Sequence, residues 1–159
     1  MKIGVISDTH LEEVGPQLIS IYRNHFSDVD MIMHAGDVVS TAVVDFLDNR
    51  KPLHLVQGNM DSFEIKKRYP KKKVIDVQGF RLGLIHGWGS PAGIEKRIRS
   101  EFDDADVIVY GHSHMPAYHN EGGVIFFNPG SAAGYSVSGV HSIGILDISE
   151  EISGTIITL

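Results

Sequence analysis

The fold is decided by one stretch, Val29-Asp30-Met31-Ile32-Met33-His34-Ala35-Gly36-Asp37. Its first part is mainly apolar, with two Met, an Ile and a Val, which predicts a buried β-strand over 29–34. The apolar run then stops at a small residue, a Gly and a carboxylate. A buried strand of a parallel sheet that ends in Gly-Asp places Asp37 at the carboxyl edge of the sheet, where open α/β sheets bind their ligands.

The same pattern occurs at two neighbouring predicted strands. Residues 2–7 end at Asp8-Thr9-His10, and residues 53–56 end at Gly58-Asn59-Met60-Asp61. Between the strands we predict a helix over 15–26 and a second helix with Ser40 or Thr41 as its N-cap. The first helix is expected to pack through Leu18, Ile19, Tyr22 and Phe26. The front half is therefore βαβαβ.

The back half is predicted to consist mostly of hairpins. The expected elements are a short helix at 63–69, a hairpin of 74–77 and 80–85, a helix at 94–102, a strand at 106–110, strands near 117–119 and 124–127, and a closing hairpin at 141–159. The simplest architecture is α/β (α+β), with two sheets packed face to face and helices outside.

Composition narrows the class of protein. A chain of 159 residues predicts a single domain, 1–159. The net charge of −6 makes a nucleic-acid partner unlikely. The absence of Cys excludes disulfides and thiolate chemistry. The apolar runs are too short for a bilayer, and no signal core precedes the first strand, so we expect no membrane partner and a cytoplasmic location.

Five predicted strands end in residue types that bind metals. These are Asp8 with His10, Asp37, Asn59, His86, and His112 with His114. Carboxylates and imidazoles together bind Mn, Fe, Zn or Ni. Seven side chains are too many for one ion and suit two cations roughly 3.5–4 Å apart that clamp a phosphoryl group.

Each motif alone has an ordinary alternative. Asp37 could be an N-cap, Asp8 with His10 could form a turn, and so could Asn59 with Asp61. These alternatives would have to coincide at five strand ends, which favours a metal centre. We interpret His34 as a structural residue rather than a ligand. The basic residues between 66 and 73 are interpreted as a solvated surface.

In this order the motifs resemble those of the calcineurin-like metallophosphoesterases. The short length and Asn128-Pro129-Gly130-Ser131 resemble the small bacterial and archaeal phosphodiesterase branch. The resemblance implies a four-layer αββα sandwich with two mixed β-sheets, and a location of the Asn-Pro-Gly-Ser motif near the metal centre, where it supports the His ligands. It also implies two metal sites, the first formed by Asp8, His10, Asp37 and His114, and the second by Asp37, Asn59, His86 and His112.

The same resemblance implies the chemistry. Asp37 would bridge two divalent cations, with manganese expected first and iron, nickel or zinc as alternatives. A metal-bound hydroxide would attack a phosphodiester in line, with Asp37, Asn59 and His86 as the catalytic residues. The expected substrate is a small phosphate ester.

The chain departs from the family pattern at two positions. Many relatives carry a His after the Gly-Asn, where this chain has Met60, and a thioether cannot donate a proton. Since general acid help is worth roughly 10²–10⁴-fold, we expect lower activity and a bias toward good leaving groups. Trp88 replaces a second His and offers an aromatic wall beside the metals.

Two other functions stay open at this stage. The chain also resembles the retromer scaffold subunit, which predicts a non-catalytic protein-interaction module of the same fold. The complete ligand set and the lack of an obvious exposed apolar stripe argue against this alternative. Action as a nuclease has only the basic run and Trp88 behind it. A homodimer is a prior from symmetry statistics alone.

Overall fold

The computed structural model describes residues 1–134, 136 and 139–159. Over these residues the α-helices are α1 (Pro16–Ile21), α2 (Thr41–Asp48), α3 (Phe63–Arg68) and α4 (Ile94–Arg99). The strands are β1 (Lys2–Ile6), β2 (Met31–His34), β3 (Leu53–Leu55), β4 (Lys72–Val77), β5 (Phe80–Ile85), β6 (Val107–Val109), β7 (Ala117–Glu121), β8 (Val124–Asn128), β9 (Ser142–Ile148) and β10 (Ile152–Thr158).

The strands form two sheets, each mixed in direction. The first has the order β10-β9-β1-β2-β3, and the second has the order β4-β5-β6-β8-β7. Strands β1, β2 and β3 run parallel, while β9 and β10 pair antiparallel. In the second sheet β5, β6 and β8 are parallel and the two edge strands are antiparallel.

The hydrophobic residues alternate between two faces of each sheet, which builds four layers. Met31 and Met33 lie in the core between the sheets. Ile32, which points the other way, packs with the side chains of α1, α2 and α3. On the far side, Ile94 and Ile98 of α4 cover the outer face of the second sheet. The predicted αββα sandwich of two mixed sheets flanked by helices is confirmed.

The first helix departs from the prediction. It is α-helical only to Ile21 and continues as a π-helical segment over Tyr22–Phe26. The wider π turn brings Ile21 and Phe26, five residues apart, to the same buried face. Ile19, which an uninterrupted α-helix would bury, is only half-buried.

Several element bounds differ from their predicted positions. Strand β2 begins at Met31 rather than at residue 29, because the Asp30 carboxylate accepts a hydrogen bond from the Lys2 amide and Val29 lies before the ladder. Strand β4 begins at Lys72, so part of the basic run belongs to the sheet. The predicted N-cap is confirmed, since the Ser40 side chain accepts from the amide of Ala42. Over the part of the chain that is described, no helix is long and apolar enough to cross a bilayer.

Candidate metal centre

The loops that follow β1, β2, β3, β5 and β6 meet at one edge of the sandwich. The amide of Asp8 donates to the carbonyl of Gly36, and the amide of His10 donates to the carbonyl of Asp37. The amide of Gly111 donates to the carbonyl of His86 and joins the two loops of the second sheet. The seven predicted ligand side chains are therefore brought together, although they come from both sheets.

One group of ligand atoms surrounds Asp8. Its Oδ1 lies 3.2 Å from His114 Nε2 and 3.8 Å from His10 Nε2. Its Oδ2 accepts from the Ser7 hydroxyl at 2.5 Å and from the His112 amide at 3.1 Å. Asp8 is completely buried, so one carboxylate oxygen is held by the protein and the other faces the two imidazoles.

A second group surrounds Asn59. Its Oδ1 lies 3.1 Å from His86 Nε2 and 3.0 Å from His112 Nδ1. The other nitrogen of each ring donates to a carbonyl oxygen, that of Ala35 at 2.7 Å and that of Gly89 at 2.8 Å. Since a carbonyl only accepts, each ring in its neutral form presents the lone pair of its remaining nitrogen to Asn59 Oδ1. A cation between these three atoms could be bound by Asn59 Oδ1 and by the lone pairs of both ring nitrogens.

Asp37 lies between the two groups. Its Oδ2 is 3.7 Å from His10 Nε2 and 3.3 Å from His86 Nε2, and its Oδ1 accepts from the Met60 amide at 2.8 Å. Ligand atoms about 2.0–2.2 Å from a shared ion are separated by roughly 3.0–3.5 Å, which is close to the spacings found here. The carboxylate is in position to contact an ion in either group.

The backbone of the ligand loops adopts an unusual conformation. Five of the candidate ligands have positive φ angles, between 47° and 66°, namely Asp8, His10, Asp37, His112 and His114. The left-handed region is disfavoured for residues with a Cβ and costs of order 1–3 kcal/mol at each position. The surrounding hydrogen bonds therefore hold these side chains against a local preference for another conformation.

Unpaired buried atoms support a cation at this position. Among the described residues, Asp8 Oδ1 and His10 Nε2 are buried without a hydrogen-bond partner. A buried polar atom without a partner costs free energy that a bound ion would offset. Carboxylate, imidazole and amide ligands of this kind bind divalent transition metals, so the residues fit the metal that the sequence predicts.

The electrostatics of the centre keep its carboxylates ionised. Burial alone would raise the pKa of Asp8, but the imidazoles of His10 and His114 lower it well below its usual value. Burial would also raise the pKa of Asp37, and the hydrogen bond and charge of His86 lower it instead. The pKa of His86 is raised because these two carboxylates outweigh the effect of its burial.

His34 has a structural position beneath the ligand loops. Its Nδ1 accepts from the amide of Gly36 and its Nε2 contacts Thr9 Oγ1, both at 3.2 Å. Burial lowers its pKa to about 3, so the ring is neutral. It connects the loops that carry Asp8 and Asp37 and does not point into either ligand group.

The Asn-Pro-Gly-Ser motif lies against the same loops. Asn128 Nδ2 donates to Gly111 O and to Ser113 Oγ, both at 3.0 Å. Ser131 Oγ donates to the carbonyl of Asp8 at 3.1 Å. The motif therefore braces the loops that present Asp8 and His112.

Asp61 is a site residue that the sequence analysis interprets only as part of a possible turn. Its buried carboxylate accepts from the amides of Gly58 at 2.6 Å, Val39 at 2.7 Å and Asp37 at 3.2 Å. It fixes the loop that carries Asp37 relative to the loop that carries Asn59. The available signal was an acid three residues after Gly58, on the same loop as a candidate ligand.

Large exposed apolar side chains border the centre. Met60 follows Asn59 and is 61% exposed, Met115 follows His114 and is 56% exposed, and Trp88 is 44% exposed. Phe63, at the start of α3, is 84% exposed. Met60 and Met115 directly follow predicted ligands in the chain, so exposed apolar side chains lie next to the candidate centre.

Comparison with known proteins identifies the family. Residues 1–151 match the model of the calcineurin-like phosphoesterase superfamily domain. A probable metallophosphoesterase of Methanothermobacter thermautotrophicus is 37% identical over 134 residues, which cover 82% of this chain and 77% of that protein. A phosphodiesterase of Methanocaldococcus jannaschii is 30% identical over 165 residues, covering 95% of each chain.

A solved structure shows the same fold at lower identity. A single mutant of Vps29 from Entamoeba histolytica superimposes with a TM-score of 0.77 at 22% identity, covering 100% of this chain and 99% of that one. The match of residues 1–151 to the family model and the similarity to these relatives show that the chain belongs to the calcineurin-like phosphoesterase superfamily.

Proposed function

We propose that this chain is a metal-dependent phosphodiesterase that acts on a small phosphate ester at a dinuclear centre. One observation carries the proposal, the position of Asp37 Oδ2 between His10 Nε2 and His86 Nε2. Family membership and the phosphodiesterase relative support hydrolysis of a phosphate ester. In this proposal Asp8, His10, Asp37 and His114 hold one cation, and Asp37, Asn59, His86 and His112 hold the other.

The cations, for which manganese is the first candidate, would polarise the phosphoryl oxygens and lower the pKa of a water molecule. The protein contributes orientation. Asn59 is exposed, and its Oδ1 faces the two imidazoles, so its Nδ2 is available to donate to a phosphoryl oxygen. His86 keeps its ring fixed through the Ala35 carbonyl, and Asp37 stays ionised in its buried position.

The proposed hydrolysis does not need a proton donor from the protein at the leaving group. A water molecule loses one proton to solvent and its oxygen joins phosphorus, the phosphorus–ester oxygen bond breaks, and the departing oxygen takes a proton from solvent. Met60, which occupies the place of the acid His in many relatives, has no proton to give. We therefore expect activated diesters with phenolate leaving groups to react faster than alkyl esters.

The test is hydrolysis of bis(p-nitrophenyl) phosphate with added Mn²⁺. We expect turnover that a chelator abolishes and that Asp37→Asn reduces by at least about 10²-fold, since one bridging charge is lost. Asp28→Asn is the matched control, because this exposed carboxylate pairs with Lys2 away from the centre. No hydrolysis of any activated mono- or diester with Mn²⁺, Ni²⁺, Fe²⁺ or Zn²⁺ would refute the proposal.

The second candidate is a non-catalytic interaction module of the same fold. The observation that favours it is the exposure of two apolar side chains on the loops that carry proposed ligands, Met60 after Asn59 and Trp88 after His86. Metal content by elemental analysis, followed by turnover of the activated diester, separates the two candidates. Bound metal without turnover favours the interaction module.

A further inference from the structure

A chamber of about 690 Å³ opens beside the candidate metal centre. Asn59 and His86 form the end toward the candidate centre, and the lining also includes Trp88, Lys66, Lys71 and Lys72. Pockets that bury a whole small organic ligand measure roughly 300–1,000 Å³. The chamber is therefore larger than a phosphoryl group needs, and it continues directly from two of the proposed ligands.

One wall of the chamber is an aromatic ring on a fixed loop. Arg97 Nε donates to the carbonyl of Trp88 at 3.1 Å, and the guanidinium also donates to the carbonyls of Ser90 and Ala92. On the other side of the loop, His112 Nε2 donates to the carbonyl of Gly89. The indole is 44% exposed, so it offers a positioned flat surface to another planar ring.

The lining of the chamber carries an excess of positive charge. Lys72 Nζ pairs with the Glu101 carboxylate at 2.8 Å, and Lys66 Nζ donates to the carbonyl of Asn59 at 2.7 Å. Among the described residues, no hydrogen bond or ion pair engages the Lys71 ammonium. Three Lys and one Glu line the chamber of a protein whose net charge is −6. An anion is therefore the complementary ligand for the lysine side chains of the chamber.

We propose that the chamber binds the organic part of a small, nucleotide-like phosphodiester that carries a planar ring and a second anionic group. The ring lies against Trp88, the second anion pairs with Lys71, and the reacting phosphoryl group lies at the end formed by Asn59 and His86. The identity of the substrate rests on the proposed hydrolytic function, whereas binding of the ring and the second anion does not require turnover.

Binding is tested with thymidine 3′,5′-bisphosphate as the probe. Trp88 is the only Trp in the sequence, so its fluorescence reports on the chamber directly. We expect the bisphosphate to quench this fluorescence, with inorganic phosphate and thymidine binding more weakly. Lys71→Ala should raise the Kd about fivefold, as expected for an exposed ion pair. Lys67→Ala is the matched control, since that exposed residue does not line the chamber.

The contribution of the ring is measured by calorimetry. Trp88→Ala should weaken binding of the bisphosphate by roughly tenfold, the scale of base–aromatic stacking. Phe63→Ala, which removes an exposed aromatic ring outside the chamber, should leave the Kd unchanged. Equal affinity for the bisphosphate and inorganic phosphate, or variants that bind as the wild type does, would overturn the inference.

Turnover separates this inference from the proposed function. Three esters are compared: methyl p-nitrophenyl phosphate, thymidine 5′-(p-nitrophenyl phosphate), and the latter with a 3′-phosphate. We expect kcat/KM to rise along this series and Lys71→Ala to reduce the gain from the 3′-phosphate. Equal rates for all three would refute the inference and leave the diesterase proposal standing. Binding as expected without hydrolysis of any ester would support the chamber and refute the diesterase.

Discussion

Replacing Asp61 with Asn should destabilise the protein and weaken its metal centre together. The carboxylate accepts three backbone hydrogen bonds at 2.6, 2.7 and 3.2 Å and is 4% exposed. An Asn can keep its oxygen toward Gly58 and Asp37, but its amide group then directs a donor at the amide of Val39. Asp37 and Val39 have φ angles of 54° and 71°, so the turn loses support where its backbone is disfavoured.

The magnitude follows from these contacts. A hydrogen bond to a charged group contributes about 1.5–3 kcal/mol, and the two retained bonds become neutral and weaker. Since the three bonds share one carboxylate, they are not additive, and we expect a loss of about 3 kcal/mol in the free energy of unfolding. With a urea m-value of about 2 kcal/mol/M, the unfolding midpoint falls by roughly 1.5 M.

The assay is urea unfolding of the metal-free protein followed by Mn²⁺ titration. Asp28→Asn serves as the control, because its exposed ion pair with Lys2 should leave the midpoint almost unchanged. The Mn²⁺ affinity of Asp61→Asn should fall roughly 10–100-fold, as for other groups that orient a ligand. An unfolding midpoint of Asp61→Asn within about 0.3 M urea of the wild-type value would refute the idea that Asp61 holds the loop of Asp37.

Three further predictions concern the loops and the core beneath them. In Gly58→Ala the new Cβ would overlap the Asp37 carboxylate, so the Mn²⁺ affinity should fall at least about tenfold. Gly15→Ala is the control, because a Cβ there meets nothing within 4 Å, and it should bind Mn²⁺ as the wild type does. Asn128→Ala removes three hydrogen bonds and leaves the buried Gly130 amide without its partner, and urea unfolding should show a loss of about 3 kcal/mol. The pKa of His34 is about 3 in the folded protein, whereas its ordinary value is 6.5. The unfolded chain therefore binds more protons than the folded protein between pH 3 and pH 6.5. The contribution of the neutral His34 ring to the stability of the metal-free protein should be fully present above pH 6.5 and should fall as the pH drops below it, by up to about 1.4 kcal/mol per pH unit. His34→Gln should flatten that slope, and an unchanged slope would contradict the assignment.

The sequence predicts the part of the site that depends on strand ends. Apolar runs that stop at Asp37, His86 or His112 identify both the buried strands and the edge where they finish, because parallel strands end on one side. The order of the motifs then identifies the family. These inferences use local patterns, which a single sequence displays directly.

The remaining features depend on contacts between distant residues. The role of Asp61 becomes visible only when three amides from two loops converge on its carboxylate. The π-helical segment depends on how Phe26 fits against the first sheet, where a Cβ at Gly4 would come within 2.8 Å of its ring. The predicted hairpin brings the loop after β5 beside the start of β4, but the chamber that Trp88 and Lys71 line also includes Asn59 and Lys66 from a distant part of the chain.

The position of β1 within the first sheet has a consequence for synthesis on the ribosome. This strand is made before β2 and β9, and it pairs on one side with β2 and on the other side with β9 at residues 142–148. At about 5–20 residues per second, roughly 7–30 s pass between the synthesis of β1 and that of β9. During this interval the nascent chain presents an open, apolar strand edge. We expect the first sheet to be completed only after β9 has been synthesised.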